Sequence, residues 1–377
     1  MKGPPEADMK LLSTLGALAL TATLAATAAH AETAAPGALG PSDFGLDVVR
    51  LSPRVAVVYG GPWDNGIVAV ATQKGIVVVD APFSKSLSGA IREAIRAELG
   101  RSDFAYLVNT HEHVCHVGGN AAYADVPIVG HESLLREMQA MAANAGRAEE
   151  VAGIGDRELA KVREYLRKAD PNKLEGPEWA LYEKLWRGIQ ADLKKDASLV
   201  LPTITFDREL TLRLGDVSVR LDFYGHSHGA ADTVVRIPEE NLVLTAGLFY
   251  PAKVPALGGV TEKATPAEID NWFVVMKGLL DEANDETKFL ASHSRVVMKK
   301  EKYRGYVAYL EGVWNGLRSA RASGKTLEQA KAGLPLSGFP GVAGLPNEEL
   351  RGTEWENLDI HGHNIERLWK ALDRASR

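Results

Sequence analysis

The chain has 377 residues, 45% of them hydrophobic and 24% charged, with a formal net charge of −6 at pH 7. That composition is ordinary for a globular protein. No basic stripe runs through it, which argues against nucleic acid or an anionic membrane surface as partner and leaves a small molecule as the default. Its single cysteine excludes an internal disulfide.

In chain order, Met9-Lys10 is followed by an apolar Ala/Leu-rich run from Leu11 to Ala29 and then by Ala29-His30-Ala31. This pattern predicts a signal peptide over residues 1–31 with cleavage after Ala31, and hence a periplasmic or secreted product. A retained membrane anchor is the alternative; the many Ala and Thr residues of the run and its A-x-A end weigh against it. Residues 32–377 are expected to form one domain, opening with a Pro/Gly-containing linker from Thr33 to Pro41. The β-rich runs "RVAVVYG", "GIVAVAT" and "GIVVVDAP" predict an antiparallel meander. In "SLSGAIREAIRAELG" the spacing of Leu87, Ile91, Ile95 and Leu99, with a Gly stop, predicts a helix, and "FAYLV" predicts the next strand.

That strand leads into "THEHVCHVGGN", Thr110 to Asn120, expected on a loop between strand and helix. From about 132 to 200 the sequence turns helical and charged, which predicts an inserted helical subdomain. Strands resume in "TITFDRELTLRLGDVSVRLDFYG", read as a hairpin turning at Gly-Asp, and in "DTVVRIPEENLVLTAGLFYP", a second hairpin turning at Pro238-Glu239-Glu240-Asn241. After a short apolar "KFLASHS" the rest, about 299–377, is mostly helical. Strands and helices alternating in blocks predict an α/β fold of two sheets packed face to face with helices outside.

Six of the ten histidines fall in three loops at strand ends: His111, His113 and His116; His226 and His228; and His293. Imidazole and thiolate are the ligands zinc prefers, and a catalytic zinc needs three protein ligands and an open position. In an oxidising compartment Cys115 must be buried, bound to metal or exposed to oxidation.

On these segments the sequence resembles the metallo-β-lactamase fold superfamily of metallohydrolases, over nearly all of the mature chain. The resemblance implies an αββα sandwich of two mixed sheets with outer helices. It implies a first metal held by His111, His113 and His228, with His226 in reserve, because His228 stands four residues before Asp232. It implies a second metal at Cys115, His116 and His293, giving two zinc ions per chain, or one if Cys115 is only a small buried residue. The sequence departs from the family pattern twice: the usual Asp is Cys115, and the bridging Asp or Cys after the middle hairpin is Gly247 or Leu248. A thiolate binds zinc well but accepts a hydrogen bond from an attacking water less readily than a carboxylate does.

The activity implied is metal-assisted hydrolysis, a metal-bound hydroxide attacking an ester, lactone, amide, sulfate or phosphate ester of a small-molecule substrate. A β-lactam substrate is one alternative, and a non-catalytic binding protein with a degenerate second site is another. A redox role for Cys115 ranks below both, since no second cysteine could resolve an oxidised one. Asp80, ending "GIVVVD", is expected to orient the histidine loop, and Asp232 to fix its own loop. His131 is read as a helix cap or a substrate contact. His361 and His363 are read as packing or surface residues, with a further zinc pair as the alternative. Trp63, Trp179, Trp186 and Trp272 are expected in packing rather than in a pocket.

Overall fold

The structure is a computed structural model that describes residues 44–61, 65–144, 146, 149–150, 153–169, 177–248, 264–340, 342 and 359–374. All of these belong to one compact unit, Ala38–Arg377. The expected signal peptide, the linker Thr33–Pro41, Trp63 and the side chain of Trp179 lie outside the described residues.

The chain opens with β1 (Asp47–Arg50), β2 (Val55–Tyr59), β3 (Ile67–Thr72) and β4 (Gly75–Val79), an antiparallel meander as the alternation predicts. Val, Ile and Ala dominate β2, β3 and β4, which are buried on both faces, where branched side chains suit the pleated surface, while β1 is an exposed edge strand. Helix α1 (Lys85–Leu99) follows; Ser84 caps its start by accepting the Leu87 N–H, and Gly100 ends it at φ 65°. It turns Leu87, Ile91 and Ile95 inward and carries the chain over to β5 (Phe104–Val108), which pairs parallel with β4.

After the short helix α2 (Val114–Val117) come β6 (Ile128–His131), α3 (Glu132–Ala143), α4 (Ile154–Ala169) and α5 (Pro177–Lys195). The helical run expected at about 132–200 therefore holds α3, α4 and α5 among its described residues. Leu185, Trp186, Ile189 and Leu193 of α5 pack in the same cluster as Leu87, Ile91 and Ile95 of α1. Strand β7 (Ile204–Phe206) then pairs parallel with β6 and completes a seven-stranded sheet in sequential order.

This β7 is the "TITF" read from sequence as part of the following hairpin. The chain instead leaves the first sheet at Asp207-Arg208, and the hairpin proper is β8 (Glu209–Arg213) with β9 (Ser218–Phe223). With β10 (Thr233–Ile237) and β11 (Leu242–Leu244), the second predicted hairpin, it forms four strands of a six-stranded mixed sheet, which two later strands complete through a parallel pairing with β11. Helix α6 (Pro266–Glu282), β12 (Lys288–Leu290), β13 (Met298–Lys299), α7 (Lys300–Ala322), α8 (Leu327–Gly333) and α9 (Ile360–Arg374) complete the fold.

Period-2 alternation sorts the strand residues into layers. Val55, Val57, Val68, Val70, Val77 and Val79 of the first sheet meet Val219, Leu221, Val235, Ile237, Leu242 and Leu244 of the second in one buried cluster. Val58, Ile67, Ala69, Ile76 and Val78 face α1 and α5 on one outer side. Val234, Val243 and Phe289 face α6, α7 and α9 on the other. The result is a four-layer αββα sandwich, the architecture expected from sequence. Strands β4, β5, β9 and β12 all end at the edge where the histidine loops emerge.

Candidate metal centre

Beyond β5 the chain runs through Asn109, Thr110 and the His111-Glu112-His113 segment into α2, which carries Cys115 and His116. Backbone hydrogen bonds fasten this loop to the turn after β4: Ala81 N–H donates to His116 O, Phe83 N–H to Val114 O and Gly119 N–H to Ala81 O, each 2.9 Å. The Gly118-Gly119 pair makes the close approach possible. A Cβ at 118 would press on Phe83 O, and one at 119 would lie 2.8 Å from Pro82 O. Asn109 Nδ2 donates to His116 O at 3.1 Å, and Asn65 Nδ2 to Cys115 O at 2.6 Å.

Two clusters of possible ligands result. His111 Nε2 and His228 Nε2 each lie 3.2 Å from His113 Nδ1. His116 Nε2 is 3.2 Å from His293 Nε2, with Cys115 Sγ 3.9 Å from that same nitrogen. Within each cluster the three donor atoms lie within 4.8 Å of one another. A tetrahedral zinc with ordinary Zn–N and Zn–S bonds separates its ligand atoms by roughly 3.3 Å for N···N and about 3.6 Å for S···N. Both clusters fit that spacing and that donor chemistry. The clusters adjoin, since the His111 and His116 ring centroids are 4.0 Å apart. His113 and His293 are the partly exposed members, so the open side of the pair lies between them.

Asp80 serves both clusters. Its Oδ1 accepts the Thr110 N–H and its Oδ2 the Thr110 hydroxyl, both at 2.8 Å, and His116 Nδ1 lies 2.8 Å from Oδ2. Thr110 Oγ1 in turn sits 3.0 Å from His111 Nδ1. Since the hydroxyl proton is directed at Asp80, the hydroxyl oxygen must accept from His111 Nδ1–H. The Nε2 of His111 is thereby left with its lone pair facing His113, and His116 Nδ1–H likewise donates to Asp80 and turns Nε2 toward His293. Asp80 holds this place at φ 70°, an uncommon backbone conformation for a non-glycine residue.

His228 is fixed from its own loop. Asp232 Oδ2 accepts the Ser227 hydroxyl at 2.9 Å, the Gly229 N–H at 2.6 Å and the His228 N–H. His226, the reserve ligand of the sequence reading, is exposed, and among the described residues its backbone carbonyl accepts from Asn271 Nδ2 at 3.2 Å. Position 247 has no room for a bridging side chain. A Cβ there would lie 2.5 Å from His228 Cδ2 and Nε2, while Leu248 is buried against the outer helices.

Burial, reinforced by the neighbouring imidazoles, holds His111 and His228 well below the usual histidine range, and burial lowers His113 as well. These rings stay neutral with lone pairs available. Burial also opposes charge on His116, but the Cys115 sulfur and the Asp80 carboxylate outweigh it and push His116 up to about 10. A cation entering there would displace a proton. Burial pushes Asp232 up to about 6 against the pull of its N–H donors.

The remaining singled-out residues pack. His131 Nδ1 accepts the Ser133 N–H at 3.1 Å and so caps α3, its Nε2 donates to Asp207 O at 2.5 Å, and its ring stacks on Phe223. His361 has both nitrogens engaged, Nδ1 with the Tyr309 hydroxyl at 2.9 Å and Nε2 with Leu334 O at 2.6 Å, which leaves no lone pair for zinc. Trp186 and Trp272 are buried in the two outer clusters. Sequence reasoning missed Thr110 and Asn65. A hydroxyl directly before a ligand histidine is a usable signal for Thr110; nothing local marks Asn65.

A profile of the metallo-beta-lactamase superfamily matches residues 61–293. Comparison with curated protein sequences gives no match. The structure is similar to that of the stereoselective inverting sec-alkylsulfatase Pisa1 from Pseudomonas sp., with 15% identity and TM-score 0.54 over 86% of this chain and 50% of that one. A double mutant of the same sulfatase aligns at TM-score 0.57 and 15% identity over 88% and 50%. This chain thus spans about half the length of the sulfatase. A metallo-beta-lactamase from Pontibacter korlensis aligns at TM-score 0.48 and 16% identity, over 70% of this chain and 98% of that one.

Proposed function

The chain belongs to the metallo-beta-lactamase superfamily, and from that premise we propose that it is an exported hydrolase holding two zinc ions, one at His111, His113 and His228 and one at Cys115, His116 and His293. The observation that carries the reading is the pair of adjoining three-ligand clusters, each spaced for a tetrahedral metal. When bound, zinc brings the pKa of a coordinated water near neutrality and stabilises negative charge developing on the attacked group.

The protein's own residues do the rest. Burial keeps His111, His113 and His228 neutral, so they bind a cation without first losing a proton. Asp80 fixes the tautomers of His111 and His116, and Asp232 shapes the loop that presents His228. Both oxygens of Asp80 and the Oδ2 of Asp232 are occupied by these donors, and both residues act by orienting the loops that carry the histidines. Cys115 supplies a soft ligand that favours zinc over iron or manganese. The partly exposed His113 and His293 set the side from which a small-molecule ester, lactone, amide, sulfate or phosphate ester approaches. Export rests on the residue 1–31 pattern, and among the described residues no helix is long and apolar enough to cross a membrane.

The test is the zinc content of the purified mature protein by plasma mass spectrometry, followed by assay of the loaded protein against that ester panel and β-lactams. Two zinc ions per chain with turnover is the expected result. One ion would remove the Cys115 set, and none, or two with no turnover across the panel, would overturn the hydrolase reading in favour of a binding protein.

A further inference from the structure

The loop from Gly225 to Asp232 that presents His228 has no regular secondary structure, and two of its residues are glycine. The bonds Asp232 makes to Ser227, His228 and Gly229 shape the loop internally but do not place it against His111 and His113, because Asp232 belongs to the loop itself. The Ser133 hydroxyl donates to Ala230 O at 2.7 Å, which ties the loop to α3. Glu112, between the two histidines, reaches across instead: its Oε1 accepts the Ala230 N–H at 2.9 Å. The side chain is buried, and its Oε2 has no hydrogen-bond partner among the described residues. The carboxyl lies directly on Gly229, where a Cβ would come within 2.9 Å of Oε1 and 3.0 Å of Oε2.

A buried carboxyl held by one bond is an expensive arrangement unless that bond does something, since a buried polar atom without a partner is destabilising. Besides the contact of the His228 and His113 ring nitrogens themselves, at 3.2 Å, the junction carries a backbone bond from Thr233 N–H to Thr110 O at 2.9 Å, beyond the end of the loop. We propose that Glu112 is a positioning residue that docks the His228 loop onto the His111–His113 segment through Ala230 and so sets the affinity of that cluster for zinc. The proposal rests on reading His111, His113 and His228 as one zinc site.

Three variants separate reach from charge: Glu112→Gln keeps the acceptor and loses the charge, Glu112→Asp keeps the charge and shortens the reach, and Glu112→Ala removes both. Zinc affinity of the full mature chain is read by competition with a chromophoric chelator. Cobalt substitution adds a spectroscopic readout, in which thiolate-to-cobalt absorption reports on the Cys115 cluster. In the Asp and Ala variants one zinc equivalent is expected to weaken by about 10–100-fold, the usual effect of removing a group that orients a ligand. The other equivalent and the thiolate band stay as in the wild type, and the Gln variant binds both equivalents like the wild type. Gly229→Ala, which crowds the carboxyl aside, weakens the same equivalent. Unchanged binding in the Asp variant, or a Gln variant as weak as the Asp variant, overturns the proposal while leaving the zinc site standing. A wild-type chain that takes up no zinc overturns the site and the proposal together.

Discussion

Replacing Asp80 by Ala removes in one step the acceptor for His116 Nδ1 and the end of the relay through Thr110 to His111 Nδ1. Both rings then lose the bond that fixes which nitrogen carries the proton. Zinc binding at both clusters is expected to weaken by about 10–100-fold, measured by chelator competition. Gly247→Ala should act on one cluster only. Its new methyl would start 2.5 Å from the His228 ring, so His228 must move and the His111–His113–His228 equivalent be lost, with the Cys115 equivalent retained in the stoichiometry. The gathering of the six cluster residues was legible in the sequence because a short motif keeps four of them together and strand ends mark the loops of the other two. Thr110 went unread although its hydroxyl stands directly before His111, because its partner Asp80 lies 30 residues away; Asn65 reaches Cys115 O across 50, a distance over which no local pattern survives.

At the scale of elements, the second sheet's outer face depends on α6, whose Trp272, Phe273 and Met276 fill the cluster with Tyr303 and Trp314 of α7. Trp272→Ala is expected to destabilise the protein by about 3–5 kcal/mol, seen as a lower midpoint in urea with an unchanged slope. Elements with strong periodicity were readable in the sequence: the Val-rich meander, α1 with its Gly stop, and the hairpin at Pro238–Glu240. Strand β7 was misplaced because three residues carry almost no periodicity. Its pairing with Val129, Gly130 and His131 reaches back across α3, α4 and α5, so its sheet is set by tertiary contact and not by its neighbours in sequence.

Over the whole molecule, buried histidines give the metal-free protein a skewed stability profile. His111, His113, His131 and His228 have depressed values in the folded state, so the stability they contribute is present above the ordinary histidine range and fades as pH falls below about 6.5. His116 runs the other way. Its stabilisation is complete below about 6.5 and is lost as pH rises toward about 10. Melting of chelator-treated protein should therefore fall as pH drops below about 6.5, where four histidines take up protons on unfolding, a loss that Asp232, pushed up to about 6, offsets in part. The stitching of the ligand loop to residues 81–83 has a kinetic corollary. Those backbone bonds, like the sandwich beneath them, involve no ligand atom, so the nest for the ions is folded before any ion arrives. Amide hydrogens of Ala81, Phe83 and Gly119 should then exchange with deuterium as slowly in the stripped protein as in the loaded one, and zinc should enter by filling a finished cavity instead of driving the chain to fold around it.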